Sequence, residues 1–467
     1  MAEKPQQIHL VFIPSPGAGH LSAMVELANL LADRHAALSI SVLIITTTST
    51  AAVPHPAAPR ITLIHLTDEN PPPAAAAGSV FAKIEARKPQ IREAVSAAIG
   101  RSPEGARLAG LVLDMFCTSM AELADEFGVP YYIFFTSAAS DLGFISHIQQ
   151  LHDEEGFEIA EFEGTELAVP SWARPIPRWA FPSNIVNKEW LQLLYRIARV
   201  FRRARGILVN TVRELESCAV DSLAFPKVYP VGPILNLKAD AGGGGTKKKE
   251  EAIEWLDRQP ESSVVFLCFG SMGAFREEQV LEIANGLEAS GLRFLWVLRR
   301  PGPEGTRAGP TDYEDVREVL PKGFVDRTAE VGRVTGWAPQ TIILAHKAVG
   351  GFVSHCGWNS TLESLWFGVP MATWPMYAEQ KLNAYLLVYE LEIATEIKID
   401  YRNGEIVAAE EIERGVRRLM ERDCSREERL KKFSEDIKKA LMDDGSSSAS
   451  IAEFIADARA VVACDFS

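Results

Sequence analysis

The sequence predicts an α/β protein made of two doubly wound domains, each with a parallel sheet covered by helices. Short apolar runs alternate with amphipathic helical patterns, which is typical of parallel strands joined by crossover helices. The alternation stops at Val231-Gly232-Pro233 and starts again near residue 263. The chain has 467 residues. Because domains usually contain about 100–200 residues, this length allows two domains of comparable size.

The first half begins with an apolar run over residues 9–14, which predicts a buried strand. After a Pro/Gly-rich turn, apolar residues between positions 21 and 31 share one face, which predicts a helix. Further strands of this half are predicted at residues 40–45, 61–66, 108–113, 131–135 and 207–210. The second half repeats the pattern, with predicted strands at residues 263–269, 294–298, 351–354 and 371–374.

The predicted domains cover residues 1–235 and 236–445. Residues 241–249 hold four glycines and three lysines, which predicts a flexible loop just after the crossing between domains. A Ser-rich turn at 445–448 then leads to a helix at 451–462, so residues 446–467 are expected to pack back on the first domain. Residues 301–315 are predicted to be a loop whose acidic end, 312–315, is solvated rather than metal-binding.

The net charge of −14 disfavours a nucleic-acid partner, because it would repel phosphodiester backbones. The six cysteines form no C-x-x-C pair, as expected for reduced thiols in a cytoplasmic protein. The polar N-terminal residues lack the apolar run of a secretion signal, and no apolar stretch is long enough for a membrane span. We expect a cytoplasmic monomer.

A first ligand site is predicted at Gly17-Ala18-Gly19-His20, directly after the first strand. Ligands of open α/β sheets bind outside the carboxyl ends of the strands, and glycines let the backbone approach a ligand closely. His20 would begin a helix, where the positive end of the helix dipole disfavours a charged ring. The pattern predicts a neutral His20 that acts as a base, or alternatively one that only packs at the helix start.

A second candidate is Asp114, at the end of the apolar run over residues 108–113. A carboxylate at the end of a buried strand is costly unless it has a partner. Asp114 could cap the helix that follows, or it could orient His20 if the two strands are neighbours. A third candidate is the turn Gly270-Ser271, where a backbone N–H and a hydroxyl suit a phosphate.

The richest stretch runs from Trp337 to Gln380. A strand is predicted to end near His355 and a helix to start near Trp358, which aims helix N–H groups at an anion site. Glu363 lies one turn further along this helix, where its carboxylate can accept hydrogen bonds from sugar hydroxyls. Trp337 offers a flat face for a base.

This 44-residue stretch resembles the signature of plant secondary-product UDP-glycosyltransferases. The resemblance extends to Pro16-Gly17-x-Gly19-His20, to Asp114 and to Phe269-Gly270-Ser271. It implies the GT-B fold, in which two Rossmann-like domains face each other across a cleft. It also implies a UDP-sugar donor, UDP-glucose in the first place, and a small lipophilic acceptor.

The family's roles carry over to matching positions. The resemblance implies that His20 is the general base and Asp114 its partner. For the donor it implies contacts with uracil, ribose, diphosphate and sugar from Gly19, Thr136, Ser271, Trp337, Ala338, Gln340, His355, Trp358, Asn359, Ser360, Glu363, Glu379 and Gln380. Phe116, Ile145 and Tyr377 align with positions that line the acceptor pocket. The family usually has Asp where Glu379 stands, so the carboxylate here is one methylene longer.

The implied reaction is an inverting displacement at the anomeric carbon that requires no cofactor and no metal. The sequence has no D-x-D motif at a strand end that would hold a metal. Gln380 favours glucose over galactose in family terms, although UDP-rhamnose, UDP-galactose and UDP-xylose stay open as donors. The acceptor is expected to be a flavonoid or another phenol, and a C-linked product stays open. The alternatives from other classes are a nucleotide-sugar epimerase and a non-catalytic nucleotide-sugar sensor.

Overall fold

A computed structural model describes residues 7–45, 58–66, 80–101, 106–223, 226–237, 246–303, 309–400 and 405–464. It contains two large, wholly parallel sheets, one in each half of the chain, with helices packed against them. This arrangement confirms the predicted α/β class with two doubly wound sheets. The glycine run at 242–245 and part of the predicted loop at 301–315 lie outside the described residues.

The first sheet has seven strands in the order β3-β2-β1-β4-β5-β8-β9. Chain order reverses beside β1, and such a switch point opens a crevice at the carboxyl ends of the strands. A short antiparallel pair, β6 and β7, lies outside this sheet. The strands of this half are β1 (Ile8–Ile13), β2 (Leu38–Ile45), β3 (Ile61–Leu66), β4 (Arg107–Asp114), β5 (Tyr131–Phe135), β6 (Glu166–Leu167), β7 (Ile176–Pro177), β8 (Gly206–Val209) and β9 (Val228–Pro230).

Helices connect these strands. β1 and β2 read as nearly continuous apolar runs and are buried along their full length, as expected for strands covered on both faces. The helices are α1 (Ala18–Arg34), α2 (Val80–Ala86), α3 (Lys88–Arg101), α4 (Ala121–Glu126), α5 (Ala139–Glu155), α6 (Lys188–Arg203) and α7 (Ser217–Ser222).

The second sheet has six strands in the order β14-β11-β10-β15-β16-β17, and its switch point lies between β10 and β15. The short strands β12 and β13 pair antiparallel; β12 directly precedes the predicted loop at 301–315, and β13 lies within it. The strands are β10 (Val264–Cys268), β11 (Arg293–Val297), β12 (Arg299–Arg300), β13 (Thr311–Asp312), β14 (Gly332–Thr335), β15 (Val349–Ser354), β16 (Met371–Thr373) and β17 (Ala394–Glu396).

Two loop predictions of the second half are wrong in part. Lysines 247–249 belong to a helix that begins at Thr246. Lysine is a good helix former, and the residues that follow continue the same helix to Asp257. The predicted Ser-rich turn is instead the first turn of the last helix. The helices are α8 (Thr246–Asp257), α9 (Glu277–Ser290), α10 (Phe324–Arg327), α11 (Gln340–Leu344), α12 (Trp358–Phe367), α13 (Gln380–Tyr385), α14 (Ala409–Met420), α15 (Cys424–Ala440) and α16 (Ser446–Cys464).

The last helix, α16, packs against the first sheet although it follows the second sheet in sequence. Phe454 is fully buried and meets Tyr132 and Tyr229 edge-on, at ring-centre distances of 5.0 and 5.5 Å. Asp457 accepts hydrogen bonds from Lys227 Nζ and from the Tyr229 hydroxyl, each at 2.6 Å. The core of the first sheet therefore includes residues from the far end of the chain. Among the described residues, no helix is long and apolar enough to cross a membrane.

Candidate active site

A cleft of about 390 Å³ lies between the carboxyl ends of the two sheets. Both halves of the chain contribute to its walls, and most of the candidate donor residues are among them. The start of α1 and residues 234–236 form one wall, while the turn after β10 and the start of α12 form the other. The candidate residues that line it are Gly19, Ser271, Trp337, Ala338, Gln340, His355, Trp358, Asn359, Ser360 and Glu363.

His20 and Asp114 are in direct contact. Strands β1 and β4 are neighbours in the sheet, so the start of α1 lies beside the end of β4. Nδ1 of His20 lies 2.8 Å from Oδ2 of Asp114, and the second carboxylate oxygen accepts the backbone N–H of Phe116 at 3.0 Å. Asp114 therefore caps the turn after β4 and also orients His20. The sequence left these two roles open as alternatives, and the structure shows both.

The contact with Asp114 fixes the tautomer of His20. A carboxylate accepts hydrogen bonds, so Nδ1 carries the proton and Nε2 keeps its lone pair. The Thr136 hydroxyl lies 3.2 Å from the same Nδ1 and can accept only a share of that proton. Nε2 is therefore the ring nitrogen that can take a proton from another molecule.

The predicted effect of the helix dipole on His20 is outweighed by two carboxylates. Burial lowers the pKa of His20, but Asp114 and Glu379 raise it by more than burial lowers it. The pKa of His20 therefore lies above its ordinary value. The pKa of His20 is therefore shifted in the direction opposite to the one expected from the helix end. The cause is tertiary packing, since Glu379 comes from the other half of the chain and Asp114 lies 94 residues away from His20.

His355 lies at the base of the opposite wall, between two glycines. A methyl group on Gly270 or Gly357 would come within 2.6 or 2.5 Å of its Nε2, so only glycine fits at these two positions. Burial lowers the pKa of His355 to about 4, and its buried Nδ1 has no hydrogen-bond partner among the described residues. His355 is thus a neutral ring that can offer an N–H donor but no positive charge.

The first turn of α12 presents polar groups to the cleft. Its N-cap is Gly357, and no side chain caps the helix, so the first N–H groups keep their capacity for an anion. Asn359 Nδ2 lies 3.5 Å from where a side chain on Gly19 would begin, and its buried Oδ1 has no partner among the described residues. Gly19 and Asn359 therefore lie in near contact, one on each wall of the cleft.

Gln340 links two predicted donor residues. Its amide Nε2 donates to Glu363 Oε2 at 2.6 Å and to Ser360 Oγ at 2.9 Å. Trp337 is 40% exposed, so its ring face is accessible for stacking. The backbone N–H of Trp337 donates to Asp312 Oδ1 at 2.9 Å, and Asp312 also pairs with Arg299 at 3.1 Å. Asp312 thus anchors the Trp337 loop, a role that the sequence did not indicate.

Trp358 and Gln380 have structural contacts that the sequence did not predict. The indole N–H of Trp358 donates to the carbonyl of Asn210 in the first domain at 2.6 Å. The carbonyl oxygen of the Gln380 side chain accepts the N–H groups of Met376 and Tyr377 at 2.8 and 3.0 Å. Because the oxygen of the Gln380 side chain is used in these bonds, its amide nitrogen is the atom that can donate a hydrogen bond to a ligand.

A chain of aromatic side chains begins beside His20. The ring of Phe116 lies 5.1 Å from that of His20, Phe81 lies 5.5 Å from Phe116, and Trp190 lies 5.9 Å from Phe81. Phe81 and Trp190 were missed because no motif marks them. Of the other two predicted acceptor residues, Ile145 is 6% exposed, and the ring of Tyr377 lies 6.3 Å from that of His355.

The whole chain is similar to known sugar transferases. The family model described as "UDP-glucoronosyl and UDP-glucosyl transferase" matches residues 190–428. UDP-glycosyltransferase 71A15 of Malus domestica is 49% identical over 97% of this chain and 99% of its own. UDP-glucose flavonoid 3-O-glucosyltransferase 6 of Fragaria ananassa is 47% identical over 96% and 98%. The crystal structure of Medicago truncatula UGT71G1 complexed with UDP-glucose superposes with a TM-score of 0.86, at 37% identity over 98% of this chain and 100% of that one.

Proposed function

The chain belongs to the UDP-glycosyltransferase family, and on that premise we propose that it transfers glucose from UDP-glucose to a hydroxyl group of a flavonoid or related phenol. The observation that carries this proposal is the position of the His20–Asp114 pair. The ring of His20 lies 5.1 Å from that of Phe116, and Gly19, the residue before His20, lines the same cleft as the start of α12. A base at this position can take the proton from a planar acceptor that packs on the aromatic rings, next to a nucleotide sugar bound at the start of α12.

The donor assignment rests on chemistry that several cleft residues share. The exposed face of Trp337 suits a uracil ring, and the Glu363 carboxylate suits two ribose hydroxyls. The diphosphate would lie at the start of α12, where N–H groups and the helix dipole favour an anion. The relative from Fragaria carries UDP-glucose in its name, and the Medicago protein was crystallised with UDP-glucose. Both support glucose as the transferred sugar.

Binding of UDP would compete with the present contacts of Gln340. Its amide group donates to Glu363 and Ser360. To bind uracil, Gln340 would release at least one of these contacts, and the ribose hydroxyls would then replace it on Glu363. The donor site is therefore expected to rearrange its side chains when UDP-glucose binds, while α12 itself stays in place.

The proposed reaction is a single displacement with inversion. The acceptor O–H bond breaks as Nε2 of His20 takes the proton, and the acceptor oxygen forms a bond to the anomeric carbon. The bond between that carbon and the β-phosphate oxygen breaks, and UDP leaves with the electron pair. Asp114 stabilises the charged imidazole, while the helix N–H groups and the neutral His355 meet the charge that develops on the phosphate.

The test combines a product assay with one substitution. Purified protein is incubated with UDP-glucose and a panel of flavonols, and products are identified by mass spectrometry. We expect a glucoside with wild type, a loss of transfer in His20→Ala by a factor of about 100 or more, and unchanged UDP affinity in that variant. Chelation of divalent metals should leave turnover unchanged. Wild-type protein that forms no glycoside with any acceptor would overturn the proposal.

A further inference from the structure

An ion pair between Arg299 and Asp312 lies next to the loop that carries Trp337. Strands β12 and β13 place the two residues directly opposite each other, and Nε of Arg299 lies 3.1 Å from Oδ1 of Asp312. The Arg299 guanidinium also donates to the backbone carbonyls of Pro310 and Thr311, at 2.6 and 3.4 Å. Only 13% of the Arg299 side chain is exposed, so solvent screens this pair less than a surface pair. Arg299 therefore fixes both the carboxylate of Asp312 and the backbone that leads to it.

The Asp312 carboxylate in turn holds the backbone of the Trp337 loop. Its Oδ1 accepts the backbone N–H of Trp337 at 2.9 Å. A methyl group on Gly336 would come within 2.3 Å of Oδ2, so only glycine lets the loop backbone pack this closely against the carboxylate. Both contacts are made to the backbone, and the exposed face of the Trp337 ring stays accessible for a ligand.

The same loop lines the cleft that is proposed to hold the donor. Arg299, Trp337, Ala338 and Gln340 belong to the lining, whereas Asp312 does not. An effect of Asp312 on a ligand would therefore pass through the loop. Stacking on an aromatic ring tolerates any base, because every base has a flat face, so a choice between bases needs hydrogen bonds to the base edge. Such bonds depend on where the backbone of the loop lies.

The ion pair also closes the β12–β13 hairpin, and this structural role explains the contacts of Arg299 with Pro310 and Thr311. It does not explain the hydrogen bond from Trp337, which follows Asp312 by 25 residues. The close packing of Gly336 on the carboxylate lies outside the hairpin as well. Asp312 thus joins the hairpin to a loop of the donor cleft.

We propose that Arg299 and Asp312 are positioning residues for the nucleobase of the donor. They hold the backbone at Gly336 and Trp337 in the place where the loop accepts uracil in preference to another base. This inference rests on the proposed function and adds how the base of the donor is selected. The pair is expected to act on nucleotide binding and not on the transfer step, since the proposed base, His20, belongs to the other half of the chain.

The test measures the binding of UDP and CDP by calorimetry, because these two nucleotides differ only in the edge of the base. Wild type should bind UDP more tightly than CDP. Asp312→Ala should raise the Kd for UDP about tenfold, the order of one hydrogen bond to a charged group, and should raise the Kd for CDP less. Arg299→Met should act in the same direction. Its addition to Asp312→Ala should change little, since both substitutions break the same contact.

Two further variants separate positioning from a general loss of structure. Asp312→Asn keeps an oxygen that can accept the Trp337 N–H, so it should retain most of the selectivity. The control is Arg300→Met, the exposed neighbour on β12 whose guanidinium lies 6.0 Å from the ring centre of Tyr313, and it should match wild type. With saturating UDP-glucose, kcat should stay within about twofold of wild type in every variant, as expected when only binding is lost.

The inference is overturned if folded Asp312→Ala and Arg299→Met lose affinity for UDP and CDP by equal factors, since the pair would then have only a structural role. Equal affinity of wild type for the two nucleotides would overturn it too. Should Asp312→Ala not fold, Arg299→Met decides by the same two Kd values. Wild-type protein that binds UDP selectively but transfers no sugar would contradict the proposed function, while the binding data would still decide the positioning role.

Discussion

The indole N–H of Trp358 donates a 2.6 Å hydrogen bond to the backbone carbonyl of Asn210, and this bond joins the two walls of the cleft. Trp358 is 3% exposed and is also the first residue of α12, the helix proposed to hold the diphosphate. The donor helix is thus held to the domain that carries His20. The distance between base and donor therefore depends on a contact outside the reacting groups.

Trp358→Phe is expected to weaken this connection while keeping an aromatic ring. Loss of the donor leaves a buried carbonyl without its partner, which costs about 1–3 kcal/mol. We expect kcat/KM to fall about tenfold or more and the melting temperature to drop. The control is Trp366→Phe on the same helix, where the ring lies over Lys438 instead. Equal kcat/KM values for both variants would show that the Asn210 contact has no catalytic consequence.

Asp114→Asn is expected to shift the pH profile of transfer. A protonated His20 cannot take a proton, so kcat/KM falls as the pH drops through the pKa of His20. Asp114 raises that pKa, and its removal should therefore move the acidic limb of the profile to lower pH. The reduced stabilisation of the charged ring should also lower kcat by a factor of about 100 or more.

The matched control for this variant is Asp125→Asn, an exposed acid on α4 in the same domain. Its pH profile should coincide with that of wild type. If the acidic limb of Asp114→Asn stays in place or moves to higher pH, Asp114 does not set the pKa of His20 and the proposed pairing has to be abandoned.

Glu363→Ala is expected to affect the donor only. The proposed ribose contacts and the bond from Gln340 would be lost together. We expect the Kd for UDP, measured by calorimetry, to rise by about 10- to 100-fold, which corresponds to roughly one or two charge-assisted hydrogen bonds. The KM for the acceptor should stay near its wild-type value. Glu435→Gln, an exposed acid on α15, should bind UDP as wild type does; a Kd for Glu363→Ala within twofold of it would count against the ribose assignment.

Asp457→Asn is expected to lower stability in a pH-dependent way. Burial raises the pKa of Asp457, but the hydrogen bonds from Lys227 and Tyr229 lower it by more than burial raises it. The pKa of Asp457 therefore lies below its ordinary value. A depressed pKa contributes stability above the unfolded pKa of about 3.9, and that contribution is lost as the pH falls through the folded pKa. Because the side chain is 35% exposed, we expect only about 1 kcal/mol at pH 7.

Thermal unfolding at several pH values provides the measurement. A loss of about 1 kcal/mol would appear as a drop of roughly 2–4 °C in melting temperature at pH 7, and the drop should shrink below about pH 4. Asp444→Asn, which lies just before α16 and is exposed, is the control that should not change. A deficit for Asp457→Asn that persists unchanged at low pH would mean that charge is not its cause.

Much of the fold could be predicted from local patterns. Strands buried on both faces appear in the sequence as apolar runs, and the run at Tyr131–Phe135 was predicted with the bounds that the structure has. The contact between His20 and Asp114 could be foreseen as one of two options, since both follow apolar strands. The sequence could not decide whether Asp114 caps the following turn or orients His20. In the structure it does both, because one carboxylate oxygen accepts the Phe116 N–H and the other contacts His20.

The features that were missed depend on packing between distant segments. The pKa of His20 is raised in part by Glu379 from the other domain, and no local pattern reports such a neighbour. The indole of Trp358 was expected near the sugar, whereas its N–H reaches Asn210. Phe81 and Trp190 join the chain of aromatic side chains beside His20 from helices that carry no motif. The helix start at Thr246 was missed because the glycines before it suggested a loop through the lysines.

The seating of α16 on the first sheet has a consequence for biosynthesis. A ribosome completes β9 long before it reaches Phe454, and the whole second sheet is made in between. Until then, the surface formed by Tyr132 and Tyr229 lacks its cover, and apolar surface exposed on a nascent chain is prone to aggregation. The first domain therefore finishes folding last. A stop codon or frameshift after Gly445 should damage the half of the molecule that was translated first.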